Sequence, residues 1–233
     1  MTVTAERQAA APDVESFGPL KILFDYRVLR PRRWTIVQAW WAARLAEELP
    51  GGSVLELCAG AGHIGLMAAL LADRDLVQVD SDRTACRYAR ANAIAAGIGH
   101  RVDVRCAPLH RALVAGEKFP LIVADPPYLR SVDLARYPDD PRHAVDGGRD
   151  GLRVVRQCLD VVGAHLAGGG MCLLQTRGPR QLSVIGPLLA ARSLALDDAQ
   201  IVDDERAVGL IRSGGADRSQ HNELSSDQAG SAC

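Results

Sequence analysis

Ser53-Val54-Leu55-Glu56-Leu57-Cys58-Ala59-Gly60-Ala61-Gly62-His63-Ile64-Gly65 sets the frame in which the rest of the chain is read. Ser53 to Leu57 is a short run, mostly apolar, of the kind that forms a strand covered on both faces. The glycine turn follows at once, and Ile64 to Leu71 is apolar enough for a buried helix. Strand, glycine turn and helix in succession open a dinucleotide-type α/β fold. Gly60 and Gly62 let the backbone approach a ligand closely, and the helix start offers amide hydrogens that have no intrahelical partner. A glycine turn alone is common. Leu76 to Val79 adds a second observation, a further strand that ends in Asp80. It lies about 20 residues past the glycines, where a carboxylate accepts both hydroxyls of a ribose.

Working outward, Leu121-Ile122-Val123-Ala124-Asp125-Pro126-Pro127-Tyr128 reads as a buried strand stopped by a carboxylate and two prolines. Neither proline has an amide hydrogen to donate, so the ladder ends there. Each proline also restricts the residue before it. Asp125 and the carbonyl of Pro126 are thereby held as two acceptors aimed at one point, with the ring of Tyr128 as a lid. That arrangement suits a flat group donating hydrogen bonds from an NH2. The bland alternative is a proline turn that merely ends a strand. In an open α/β sheet, ligands bind outside the carboxyl ends of strands where the winding reverses. The glycine turn ends the domain's first strand and Asp125 ends its fourth. Those strands are neighbours in the doubly wound order, so both motifs meet at one crevice.

The remaining elements fall around this frame. Thr35 to Leu49 has helical spacing and stops at Pro50-Gly51-Gly52. Trp40 and Trp41 read there as packing residues. Ser81 is expected to cap a helix running to about Ala96 before Gly97. Arg101 to Arg105 is a strand, and Pro108 opens a short helix ending near Gly116. Leu129 to Asp150 is a long polar loop, expected to be a lid over the substrate. A helix from Gly151 to Leu166, a strand from Met171 to Gln175 and a loop from Thr176 to Gln181 follow. The chain then gives a helix from Gln181 to Ala191, bent near Gly186-Pro187, and strands near Leu194 to Val202 and Ala207 to Ile211. Residues 1–18 read as a disordered lead, 19–212 as one folded domain and 213–233 as a disordered tail.

Composition narrows the function classes. The chain has 233 residues, is 48% hydrophobic and carries a formal net charge of -1, so neither nucleic acid nor a membrane attracts it in bulk. No apolar run approaches the ~20 residues that span a bilayer. The six cysteines show no metal-type spacing and point to a reducing cytoplasm without disulfides. No metal site is expected. Lys21 to Arg33 is rich in basic residues, either as a solvated face or as a segment lying over a ligand. The scattered histidines read as surface or satisfied core residues, with His63 close enough to the glycine turn to border a ligand.

Val54 to Gly62 resembles the first motif of the class I S-adenosylmethionine-dependent methyltransferases. Asp125-Pro126-Pro127-Tyr128 is similar to their Asn/Asp-Pro-Pro-Tyr motif, found in enzymes that methylate planar nitrogens. Val28-Leu29-Arg30-Pro31-Arg32, the stretch Asp140 to Leu152 and Gly168-Gly169-Gly170 look like the release-factor glutamine methyltransferase group. The resemblance covers residues 20–212. It implies a Rossmann-like seven-stranded α/β sheet of order 3-2-1-4-5-7-6, with the seventh strand antiparallel and helices on both faces.

It also implies roles. S-adenosylmethionine is the cofactor, with Glu56, Gly60 and Gly62 near its methionine part and Asp80 on its ribose. Asp125 and Pro126 bind the acceptor NH2 and Tyr128 stacks on it. Apart from the resemblance, Pro127 of the same turn is expected to help bind the substrate, and Arg142 in the polar loop to anchor an anionic group of it. The implied acceptor is a protein or a small molecule. RNA stays open as an alternative, through methylation of a base amino group, and so does a catalytically silent cofactor-binding protein. The near-zero charge speaks against DNA, and the sequence carries no signal for oligomeric state. Three departures are visible. The helical domain that precedes the fold in release-factor enzymes is not expected from the short polar stretch of about 20 residues before the fold here. Asp125 stands where those enzymes have Asn. Pro108 sits where an acid often meets the cofactor's adenine.

Overall fold

The computed structural model describes residues 11–214. Its centre is a sheet of seven strands: β3 (Val54–Leu57), β4 (Leu76–Asp80), β5 (Val102–Cys106), β6 (Phe119–Ala124), β7 (Leu166–Thr176), β8 (Leu194–Asp203) and β9 (Arg206–Ser213). They lie in the order β5-β4-β3-β6-β7-β9-β8. Counted within the sheet, this is the expected 3-2-1-4-5-7-6. β9 runs antiparallel to both β7 and β8, and the pairs from β5 through β7 are parallel.

β3 and β6 are buried along their whole length. Parallel strands buried on both faces carry near-continuous apolar runs rather than alternation. Their side chains still divide by face. Val54, Leu121 and Val123 join one core with α1 (Ile36–Glu48) and α2 (His63–Leu71). Leu55, Leu57, Ile122 and Ala124 join the other core with α5 (Arg153–His165). Each fully buried Leu, Ile or Val stabilises the fold by about 1.5–3 kcal/mol. Leu57 pairs with Ala124, so Cys58 and Asp125 leave the sheet at the same level. That register places the glycine turn and the proline turn side by side.

Several expectations change. The boundary between residues 18 and 19 falls inside a hairpin of β1 (Asp13–Phe17) and β2 (Leu20–Phe24). Phe17 is buried, and a Cβ on Gly18 would come 2.8 Å from Met67 Sδ. The stretch before residue 19 is thus folded from Asp13, while residues 1–10 lie outside the described residues. The expected tail starts late as well, since β9 extends to Ser213, and 215–233 lie outside the described residues. Asp82, not Ser81, caps α3 (Arg83–Ala95), its carboxylate accepting the N–H of Ala85 at 2.7 Å. The segment after Pro108 makes a single 3₁₀ turn, Leu109–Arg111.

The lid is also more ordered than a loop. It holds a 3₁₀ stretch, Ser131–Arg136, and a short helix α4 (Arg142–Val145). The expected loop after β7 is mostly helix α6 (Gly178–Val184), separated from α7 (Gly186–Ala190) at the bend foreseen near Pro187. Trp41 packs against the core, whereas Trp40 is 48% exposed. Among the described residues no helix is long and apolar enough to cross a membrane.

Candidate active site

The turn after β3 is shaped by three residues with left-handed backbone: Cys58 (φ 58°), Gly60 (φ 55°) and Gly62 (φ 84°). The two glycines serve different ends. Gly62 opens α2, and a Cβ there would lie 2.5 Å from Nε2 of buried Gln78. A Cβ on Gly60 would meet nothing within 4 Å. Gly60 lines a cavity of about 410 Å³ at the carboxyl ends of β3 and β4; Gly62 does not. Asn92 of α3 braces the turn from behind, donating to the carbonyl of Ala61 at 2.9 Å and exchanging hydrogen bonds with the backbone of Leu23.

Asp80 also lines this cavity. Its Oδ2 accepts the N–H of Gly60 at 2.8 Å, and its Oδ1 accepts the N–H of Asp82 at 2.8 Å. Burial raises its pKa, and these two amide donors oppose the rise. Pro108, Leu109 and His110 supply another wall, together with Val154 and Gln157 of α5. His63 lines the cavity too, as its place in the turn suggested. Burial pushes its pKa down to about 4, so it is a neutral ring, 3.3 Å from Thr35 Oγ1.

Glu56 is placed differently from the expectation. It is 2% exposed and lies under the turn, accepting the N–H of Gly65 at 2.9 Å and Nε2 of Gln78 at 2.6 Å. It lines neither cavity described here. Its carboxylate holds the turn that a ligand would rest on, and burial lifts its pKa to about 7.

A second cavity of about 150 Å³ lies beyond the end of β6. Asp125, Pro126, Pro127 and Tyr128 line it, as the sequence motif led us to expect. Asp125 and Pro127, with Leu29, Arg32 and Ala144, line both cavities. Burial pushes the Asp125 carboxyl up to about 7, with Arg32 pulling the other way, and burial likewise raises the Tyr128 phenol. The Lys21 to Arg33 segment therefore reaches the site, with its arginines paired to acids: Arg27 to Asp25, Arg30 to Glu15 and Arg32 to Asp140.

Backbone contacts fix the proline turn. Gln38 of α1, fully buried, donates Nε2 to the carbonyls of Ala124 and Leu173, each at 3.1 Å. Gln181 of α6 donates to the carbonyls of Tyr128 at 3.1 Å and Gly151 at 3.2 Å. The lid presses directly on the turn. A Cβ on Gly147 would be 2.7 Å from the Pro127 oxygen, and one on Gly151 2.5 Å from the Tyr128 oxygen. Only glycine allows backbones to approach this closely.

Arg142 is a correction. Its side chain is 75% exposed, faces Asp146 at 3.9 Å, and lines neither cavity. Its neighbour His143 lines the larger cavity, 3.9 Å from Asp82. The wall of the smaller cavity comes instead from residues the sequence did not single out for it. The Arg206 guanidinium lies 4.0 Å from the Trp34 ring centroid, and Tyr137, Arg177 and Glu205 complete the wall. Trp34 adjoins the quoted Val28 to Arg32 stretch, which was a usable signal. Arg206 sits at the start of β9 and reaches the site only because β9 inserts beside β7.

The larger cavity fits S-adenosylmethionine. Open space stands over Gly60, a carboxylate that a ribose would meet stands at Asp80, and apolar Pro108 and Leu109 offer a surface for a base. Asp80 and Asp82 on its wall are the acids that would face a sulfonium. Among the described residues no group of three or more His, Cys, Asp or Glu is arranged to hold a metal ion.

Known proteins resemble this chain in sequence and in fold. A family model described as "Conserved hypothetical protein 95" matches residues 22–137. The release factor glutamine methyltransferase of Mycolicibacterium smegmatis is 31% identical over 168 residues, covering 69% of this chain and 58% of that protein. The ribosomal protein uL3 glutamine methyltransferase of Bordetella pertussis is 31% identical over 160 residues, covering 65% and 53%. The chain thus spans a little over half the length of these curated relatives. The crystal structure of a methyltransferase from Pyrococcus furiosus superposes with a TM-score of 0.61 at 20% identity, covering 86% of this chain and 91% of that one. That likeness is one of fold: the chain has the Rossmann-like architecture of methyltransferases.

Proposed function

We propose that this chain is an S-adenosylmethionine-dependent N-methyltransferase acting on a planar amide or amine nitrogen of a protein or small-molecule acceptor. The observation that carries the proposal is the position of Asp125, a carboxylate on the wall shared by a cofactor-sized cavity and a smaller neighbour. When bound, the cofactor supplies an electrophilic methyl group on a sulfonium.

The protein's own groups do the rest. Gly60 and Asp80 hold the cofactor, and Glu56 and Gln78 hold the turn beneath it. Asp125 and the Pro126 carbonyl accept the two hydrogens of the acceptor NH2, which aims the nitrogen lone pair across the shared wall. Alignment of this kind supplies a large part of a bimolecular rate enhancement. Asp125 Oδ is also placed to take the proton that an amine nitrogen releases after transfer, and a pKa near 7 suits that task. Tyr128 and Trp34 wall the acceptor and keep water out.

The arginines favour a protein or small-molecule acceptor over RNA. Arg32, Arg177 and Arg206 are each paired with an acid, Asp140, Asp133 and Asp203 respectively, so they do not form a free phosphate-binding surface. The glutamine-modifying activity of the relatives makes a carboxamide the first acceptor to try. The test is to incubate the protein with methyl-labelled cofactor and a cell extract, then separate protein, RNA and small molecules. Label in protein or small molecules that depends on Asp125 supports the reading. Label in RNA alone, or none in any fraction, contradicts it.

A further inference from the structure

We propose that Cys58 and Cys158 form a modification site, a thiol pair whose oxidation to a disulfide draws two walls of the cofactor cavity together and weakens cofactor binding. The inference rests on the cofactor reading of the larger cavity given above. Cys58 Sγ lies 3.8 Å from Cys158 Sγ, across the gap between the turn after β3 and helix α5. Both are free thiols, and they differ in access. Cys58 is half-buried and lines the larger cavity, so a small oxidant entering that cavity meets it. Cys158 is fully buried and lines neither cavity. The pair thus has one sulfur open to attack and a second, resolving sulfur directly behind it.

Position gives the bond its consequence. Cys58 begins the turn that carries Gly60, while Val154 and Gln157, just before Cys158 on α5, form another stretch of the cavity wall. Bonding the two sulfurs draws them in from 3.8 Å and pulls both stretches inward. The backbone of Cys58 is a second, independent observation. Its φ of 58° lies in the left-handed region, which a residue with a Cβ occupies at a cost. Glycine would relieve that strain, so a thiol is held where the backbone favours none, and strain of this kind marks functional positions. The other described cysteines, Cys86, Cys106 and Cys172, line neither cavity.

The chemistry balances with a low-molecular-weight disulfide such as oxidised glutathione. The Cys58 thiol loses its proton to solvent, and its sulfur attacks the disulfide and releases one glutathione thiolate. The Cys158 thiolate then attacks the Cys58 sulfur of the mixed disulfide and releases the second. Two protein thiols are oxidised and one disulfide is reduced to two thiols. Contact with Cys158 and burial both raise the Cys58 thiol, so exchange is slow at neutral pH. Linkage adds a reciprocal effect: a bond that weakens cofactor binding by some factor is itself disfavoured by bound cofactor by the same factor.

The test uses the full chain with Cys106→Ser, which removes the exposed thiol of β5. It is equilibrated in glutathione redox buffers at mildly alkaline pH, with and without S-adenosylmethionine. Quenched samples are digested and mapped by mass spectrometry, and calorimetry measures cofactor affinity before and after bridging. We expect a peptide pair joined through Cys58 and Cys158, and an affinity about tenfold lower that dithiothreitol restores. Saturating cofactor should demand a buffer about tenfold more oxidising for the same bridged fraction. Cys158→Ala can only take up glutathione at Cys58, and should gain that mass without a bridge; should it fail to fold, the parent mapping decides alone. Absence of the joined peptides in the most oxidising buffer, or a bridged protein that binds the cofactor as tightly as the reduced one, overturns the proposal. Mapping the bridge needs no cofactor. No binding by the reduced protein would overturn the cofactor reading, and the effect on binding with it, while the bridge stands or falls on its own peptides.

Discussion

The carboxylate of Asp80 accepts the backbone N–H of Gly60 at 2.8 Å, tying the acid at the end of one strand to the turn at the end of its neighbour. Asp80 therefore shapes the turn as well as facing the cavity. Asp80→Ala should weaken S-adenosylmethionine binding by about 10–100-fold, the range for a lost hydrogen bond to a charged group. Asp80→Asn keeps one oxygen acceptor and should lose less. Titration calorimetry compares the two, and equal affinities for parent and Asp80→Ala would remove Asp80 from the cofactor site.

The two turn glycines should separate stability from binding. Gly62→Ala drives a Cβ into buried Gln78 at a left-handed position and should cost about 2 kcal/mol or more. Gly60→Ala meets open space and should cost only about 1 kcal/mol for its backbone conformation. Its methyl would stand in the cavity, so affinity for the cofactor should fall about tenfold or more. Thermal denaturation and calorimetry on both variants read the contrast, and a stable Gly62→Ala that binds normally would contradict it.

Within the lid, position matters more than charge. Arg142→Ala removes an exposed side chain that lines neither cavity and should change stability by less than about 0.5 kcal/mol. Gly147→Ala would set a Cβ 2.7 Å from the Pro127 oxygen and 2.6 Å from the Gly151 oxygen, so the proline turn must shift. It should lose most methyl transfer while retaining cofactor binding. Substantial loss of activity in Arg142→Ala would restore that residue to the substrate site.

Stability should carry the mark of the buried acids. Burial raises Asp125 from an ordinary 3.8 to about 7, so the folded protein holds a proton there that the unfolded chain gives up above about pH 4. Its contribution to stability is fully present below pH 4 and is lost as pH rises to about 7. Asp125→Asn carries no such charge. It should be more stable than the parent at pH 8 by about 1–3 kcal/mol, with the difference closing toward pH 4. His63 runs the opposite way, losing its contribution as pH falls from 6.5 toward 4, but it is common to both proteins and cancels in the comparison. Urea denaturation at several pH values measures the gap, and a pH-independent difference would mean that Asp125 is not held in a charge-disfavouring site.

The sheet was readable because its central strands must be apolar on both faces, which leaves runs such as Leu121 to Ala124 visible in one dimension. Gly60, Asp80 and Asp125 were readable because strand order brings strand ends together. β1 was hidden because its pattern is inverted: Val14 is 57% exposed, while Glu15 is buried against Arg30 and Arg33. A sequence cannot show that an acid is inside when its partner is 15 residues away. Glu56 was expected beside the cofactor from the family resemblance, and nothing local reveals that Gly65 and Gln78 already occupy it. Arg206 and Trp34 were missed together, since their stacking depends on how the last hairpin joins the sheet.

Titration calorimetry of S-adenosylmethionine into the parent chain and into Asp125→Ala bears most directly on the shared-wall arrangement. Both proteins are expected to bind one equivalent, with affinities within about tenfold, because Gly60 and Asp80 hold the cofactor while Asp125 serves the acceptor. No binding by the parent, or a loss in Asp125→Ala as large as in Asp80→Ala, would contradict the division of the site into a cofactor cavity and an acceptor cavity.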